Sequence, residues 1–117
     1  MNRLLGSGRV DPFNRGIKMS GIGGCRSSGA ITADKLIYTG RGKLISIHAL
    51  GFAPNTAYVK IYDNTSASGE VIGILAVGGT SESTEADMHG VIFKNGLYAD
   101  VTHVGGTTGS IFTVEFN

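Results

Sequence analysis

The sequence predicts an all-β protein: an antiparallel β-sandwich, jelly-roll-like, with an extended N-terminal arm. Three observations lead there. Between Ile31 and Asn117 apolar and polar residues alternate over six or seven short stretches. Turn residues (Gly, Asn, Ser and Pro) bound those stretches. No segment of ten or more residues repeats its apolar positions at a helical period. Short strands and frequent turns suit two stacked sheets.

The elements follow in chain order. "KLIY" (35–38) is a weak strand before the glycine pair of "TGRGK". "KLISIHAL" (43–50) puts Ile45, Ile47 and Ala49 on one face, and Leu44, Ser46, His48 and Leu50 on the other. "FAPNT" turns the chain, because Pro54 presets its φ and Asn55 tolerates a left-handed conformation. "YVKIYD" (58–63) alternates Val59 and Ile61 against Tyr58, Lys60 and Tyr62. The loop "NTSASG" leads into "EVIGILAV" (70–77), where Gly73 marks a bulge or a close backbone approach. "GGTSESTEADMHG" (78–90) reads as a long polar, acidic loop. "VIFKNGLYADVTHV" reads as a hairpin, its Asn-Gly pair suiting a two-residue turn at positive φ. After "GGTTGS", the closing strand "IFTVEF" (111–116) sets Phe112, Val114 and Phe116 on one face.

The chain's 117 residues allow one domain with one core. Charged residues make up 16% and apolar residues 41%, which predicts a folded chain and not a disordered one. The single cysteine, Cys25, excludes an internal disulfide and a thiolate zinc site. No apolar run suits a signal peptide or a membrane span, so synthesis in a cytoplasm without membrane insertion is expected.

Charge divides the chain into an arm, 1–29, and a sandwich domain, 30–117. The arm carries Arg3, Arg9, Arg15, Lys18 and Arg26 against Asp11 alone, a balance of +4. The remainder carries five basic residues against eight acids, a balance of −3. Glycine and serine fill the arm, and Phe13 is its one aromatic residue. By itself it buries too little apolar surface to offset ordering it, so alone it is expected to be extended or disordered. It is either a frayed terminus or, the favoured reading, an arm that orders by lying across a neighbouring subunit. Arg3, Arg9, Phe13, Arg15, Lys18 and Arg26 are therefore the expected partner-binding residues.

Reactive chemistry is sparse. The sequence has no G-x-S-x-G, Cys-x-x-Cys or H-E-x-x-H motif. "GRGKL" lacks the first glycine and the hydroxyl residue of a phosphate loop, and "GIGG" lacks the third glycine of a dinucleotide fingerprint. His48, His89 and His103 do not have metal-ligand spacing, and Glu82, Glu85 and Asp87 fall within one short stretch. No catalytic, cofactor-binding or metal-binding residue is assigned. Tyr58, Tyr62 and Tyr98 are candidate glycan contacts, as an aromatic platform on strands.

"GKLISIHALGFAPNTAYVKIYDNTSASGEVIG", followed by "GVIFKNGLYADVT" and "FTVEF", resembles a small family of β-sandwich virion structural proteins of tailed bacteriophages, marine and cyanobacterial phages among them. The likeness covers roughly residues 40–117 and leaves the arm unmatched. It implies a non-enzymatic particle component, with no catalytic residues to carry over. The expectation that follows is a capsid decoration or cement protein in the virion, present in many symmetric copies and bound to major capsid subunits. The alternatives are a tail, fibre or baseplate component, or a glycan-binding adhesion module. Nucleic-acid binding is disfavoured, because five spread basic residues and one aromatic make a small electrostatic and stacking footprint.

Overall fold

A computed structural model describes residues 24–52, 56–78, 82–106 and 109–117. The described strands are β1 (Arg26–Ser27), β2 (Lys35–Thr39), β3 (Gly42–Leu50), β4 (Ala57–Tyr62), β5 (Val71–Val77), β6 (Ser83–Phe93), β7 (Gly96–His103) and β8 (Ile111–Phe116). They form two antiparallel four-stranded sheets, β1-β8-β3-β6 and β2-β7-β4-β5. The sandwich predicted from alternation is the fold found. Every connection except β4–β5 carries the chain from one sheet to the other.

The core lies between the sheets. Leu44, Ile47, Ala49, Phe93, Phe112, Val114 and Phe116 enter it from one side, and Ala57, Val59, Ile61, Val77, Leu97 and Ala99 from the other. Apolar burial of this kind is the main stabilising contribution in a domain of this size. The face read for β8 is the face observed, and Val59 and Ile61 of β4 point inward. Gly73 makes its close approach beneath the opposite sheet: a Cβ there would sit 3.1 Å from both Ile47 Cδ1 and Leu44 Cδ2.

Three readings are corrected. In β3 a bulge between Leu44 and Ser46 breaks the alternation, so Leu44 joins Ile47 and Ala49 in the core while Ile45 is only half-buried. Most of the expected acidic loop is strand. β6 is the longest described element, and its Thr84, Ala86 and Met88 are half-buried while Ser83, Glu85 and Asp87 are exposed. Thr84 and Ala86, turned toward the core, are polar or small, which hides the period of two. Finally, "KNG" closes no hairpin. β6 and β7 belong to different sheets, and neither Asn95 nor Gly96 has positive φ.

Asp63 explains that last departure. Its carboxylate accepts the Lys94 amide at 2.9 Å and the Asn95 amide at 2.8 Å, while the Gly40 amide donates to Asn95 O at 3.1 Å. The connection is thus pinned between the end of β4 and the end of β2. The adjoining loop closes on itself, with Asn64 Nδ2 donating to Ser68 O at 3.0 Å and Asn64 Oδ1 accepting the Thr65 amide at 2.7 Å. Burial alone would raise the Asp63 pKa, but the amides of Asn95, Lys94 and Gly96 and the Lys94 charge together hold it below 3.8. A depressed carboxyl pKa gives stability that is present above the unfolded value and lost as pH falls through the folded one. Asp63→Ala is expected to cost about 1–2 kcal/mol at neutral pH, discounted for solvent exposure, and to flatten the fall in stability below about pH 4. Urea titrations of both proteins across that range read both effects.

The arm enters this frame at a defined point. Arg26 pairs with Phe116 and Ser27 with Glu115, and the Ser28 amide donates to Val114 O at 2.8 Å. Ile31 is buried and bridges to Phe112. Residues 26–29, read as the end of the arm, therefore lie along the edge of the sandwich. The Arg26 guanidinium lies 5.5 Å over the Tyr38 ring of the same chain. Arg3, Arg9, Phe13, Arg15 and Lys18 lie outside the described residues. So does most of the turn read at "FAPNT".

Candidate functional site

Alternation on β4 and β7 puts the three predicted tyrosines on the outer face of the β2-β7-β4-β5 sheet. Tyr62 stands directly opposite Tyr98, and Tyr58 opposite Thr102. The row through Tyr62 runs across all four strands as Leu36, Tyr98, Tyr62 and Val71. The next row holds Asp100, Lys60 and Ile74, and the third holds Thr102, Tyr58 and Ala76. The tyrosines are half-buried, whereas Leu36 (45%), Val71 (38%) and Ile74 (58%) are exposed large apolar side chains on the same face. The face is therefore a broad apolar and aromatic surface with one lysine and one carboxylate near its centre.

That carboxylate has a neighbour. The Asp100 pKa is raised, first by burial and then by the Asp34 carboxylate, which is within hydrogen-bonding reach, while Lys60 opposes the shift. Asp34 is fixed by the Val101 amide, which donates to its Oδ1 at 2.8 Å.

The other outer face carries a polar cluster. β3 supplies Ser46 and His48, β8 supplies Glu115, and β6 supplies Glu85 and Asp87. Ser46 Oγ donates to Glu115 Oε1 at 2.6 Å and lies 3.1 Å from His48 Nε2. His48 Nε2 is 3.6 Å from Glu115 Oε1, and its Nδ1 is 3.9 Å from Glu85 Oε1. Glu115 is held below its ordinary range, chiefly by the Ser46 hydroxyl and further by His48, against the opposing effect of desolvation. By residue type these groups match a serine–histidine–carboxylate set, but the hydrogen bonding does not. A nucleophilic serine directs its proton to the histidine. Ser46 gives its proton to Glu115 and is 7% exposed on a strand. Beside His48 an open recess of about 270 Å³ is lined by Ala49, Leu50, Ile111 and Thr113.

The remaining histidines lie elsewhere. His89, at φ 54, sits in the three-residue bulge of β6 opposite Ile45, and its amide donates to Asp87 Oδ1 at 2.9 Å. His103 Nε2 is 2.7 Å from Thr32 O, across the chain from both others. Among the described residues no group of three or more His, Cys, Asp or Glu side chains is placed to hold a metal ion. Cys25 is exposed.

Sequence reasoning found the tyrosines because strict alternation places them. It missed Leu36, Val71 and Ile74, whose strands are apolar at both parities and so name no outer face. It also missed the meeting of His48 with Glu115 and Glu85, which pairs residues far apart in the chain. The polar residue between apolar neighbours at Ser46, His48 and Glu115 was the available signal. No protein-family model matches this chain, and no curated protein matches it.

Proposed function

We propose that this chain is a non-enzymatic structural protein of a tailed-phage virion, a decoration protein that binds major capsid subunits through its sandwich and its basic N-terminal segment. The observation that carries this reading is the outer face of the β2-β7-β4-β5 sheet. There Leu36, Val71 and Ile74 are exposed among three tyrosines on a continuous sheet surface, the composition of a contact surface. The resemblance over residues 40–117 supports the same assignment, and so does the launch of the basic segment from the rim at β1. Basic side chains steer association with an acidic partner, and the apolar face supplies buried area.

The test is occupancy of purified shells by the full-length protein and by two variants. In one, Arg3, Arg9, Arg15 and Lys18 are changed to serine; in the other, Tyr62 and Tyr98 are changed to alanine. Each variant is expected to keep its fold by circular dichroism and to lose most of its shell binding. Full occupancy by both variants overturns the reading.

The tyrosine face also favours a second reading, a glycan-binding module, because Tyr62 and Tyr98 stand side by side as a sugar-stacking pair would. Glycan-array binding that disappears in the tyrosine variant, together with undisturbed shell binding, would make that the function.

A further inference from the structure

A sandwich has four sheet edges, and each open edge offers unpaired backbone groups to another strand. Among the described residues the edges are β1 and β6 in one sheet, and β2 and β5 in the other. Three of them are defended. β1 is two residues long and carries Arg26. β2 begins at Lys35, whose Nζ is tied to Ser28 O at 2.8 Å, and its pairing is broken by a bulge between Leu36 and Tyr38. β6 displays Glu85 and Asp87 and is bent where Met88, His89 and Gly90 oppose Ile45 alone, with His89 and Gly90 at positive φ. Charge, shortness and bulges are the devices that stop sheets from joining edge to edge.

β5 lacks most of them. Its sequence, "VIGILAV", holds no charged residue and no proline. Among the described residues it pairs with β4 alone, and its one irregularity lies at its first residues, where Ile61 and Tyr62 change register. Its far end is tied by Thr84 Oγ, which donates to Ala76 O at 3.2 Å. Between those points Val71 and Ile74 are exposed.

We propose that β5 is a strand-addition site through which two copies of this chain pair antiparallel about a two-fold axis near Ile74. Charge selects the occupant. The two-fold operation sets the uncharged side chains of β5 against one another along the whole strand. A two-fold axis on β6 near Ala86 would set Glu85 of one copy opposite Asp87 of the other, and like charges directly opposite are destabilising. A two-fold pair is also the commonest closed assembly, and it leaves no open β5 edge behind. The product is an eight-stranded sheet in which the row Asp100, Lys60 and Ile74 continues into the same row of the partner copy. This inference does not depend on a virion role.

Sedimentation velocity of the full chain over a dilution series tests it, under reducing conditions so that Cys25 cannot cross-link copies. The wild-type protein is expected to dimerise reversibly, with amides of Val71–Leu75 exchanging more slowly in deuterium as concentration rises. Ile74→Lys, at a position 58% exposed, is expected to keep the monomer fold and weaken the dimer roughly tenfold or more. Ile92→Lys, at an equally exposed position on β6, is expected to leave the dimer unchanged. Three results would each overturn the proposal. These are a wild-type protein monomeric at every concentration, an Ile74→Lys protein that dimerises as well as wild type, and loss of the dimer when Arg3, Arg9, Arg15 and Lys18 become serine. The last would make the basic segment the occupant of the edge.

Discussion

Replacing Phe93 with alanine is expected to lower stability by about 3–5 kcal/mol, the range for a fully buried phenylalanine whose cavity does not collapse. The domain as a whole is expected to hold only about 5–15 kcal/mol, so the variant stands near the unfolding threshold. The structure gives the reason. Phe93 is fully buried at the end of β6, and its ring stands edge-on to Tyr38 of the other sheet, with centroids 6.2 Å apart and planes at 74°. Its rim lies against Gly42, where an added Cβ would sit 2.6 Å from Phe93 Cζ. The ring thus fills the gap at which β2, β3 and β6 meet. Urea unfolding is the measurement. Phe93→Leu should recover most of the loss, because it keeps most of the volume. Ile92→Ala, one residue away and exposed, should change stability by about 0.5 kcal/mol or less.

Gly51→Ala is expected to cost about 3 kcal/mol or more, the upper end of what overpacking produces. Gly51 follows β3 at the point where the chain leaves its sheet, and its amide donates to Glu82 O at 2.7 Å. A Cβ there would lie 1.8 Å from the Gly78 carbonyl oxygen, a backbone atom that moves only if the end of β5 moves with it. Gly78 is itself held, because its amide donates to the Glu82 carboxylate. Gly78→Ala is the instructive contrast. Its Cβ would meet the tip of the Glu82 side chain, which can rotate away at the loss of one hydrogen bond. Thermal unfolding should therefore rank Gly51→Ala well below Gly78→Ala, and equal midpoints would mean that the corner is more pliable than its contacts imply.

What could be read from the sequence follows from where the alternation is clean. β8 could be assigned with its inward face because Phe112, Val114 and Phe116 are large and the residues between them are not. β4 was equally plain, and Tyr58 and Tyr62 came with it. β3 misled because one bulge residue shifts the parity of everything before it, and a bulge has no signature in "KLISIHAL". β6 misled through composition: Thr84 and Ala86 face inward without hydrophobic bulk, so its acids suggested a loop. The Asn-Gly pair carries a real local preference for a hairpin turn, and two amides bound to Asp63, thirty-one residues away in sequence at Lys94, override it. The polar cluster around His48 was out of reach for the same reason, since three strands bring it together.

The pairing of Arg26 and Ser27 with β8 fixes the place on the sandwich to which the basic segment is joined. Arg3 lies twenty-one residues upstream of Gly24, and a chain stretched to its limit covers roughly 70–75 Å over that length. Arg9, at fifteen residues, reaches roughly 50–54 Å. On the proposed reading, acidic groups that meet those arginines must lie within that backbone radius plus one side-chain length of the rim beside Phe116. A partner whose acidic patches are spaced more widely cannot meet the sandwich and those arginines at once.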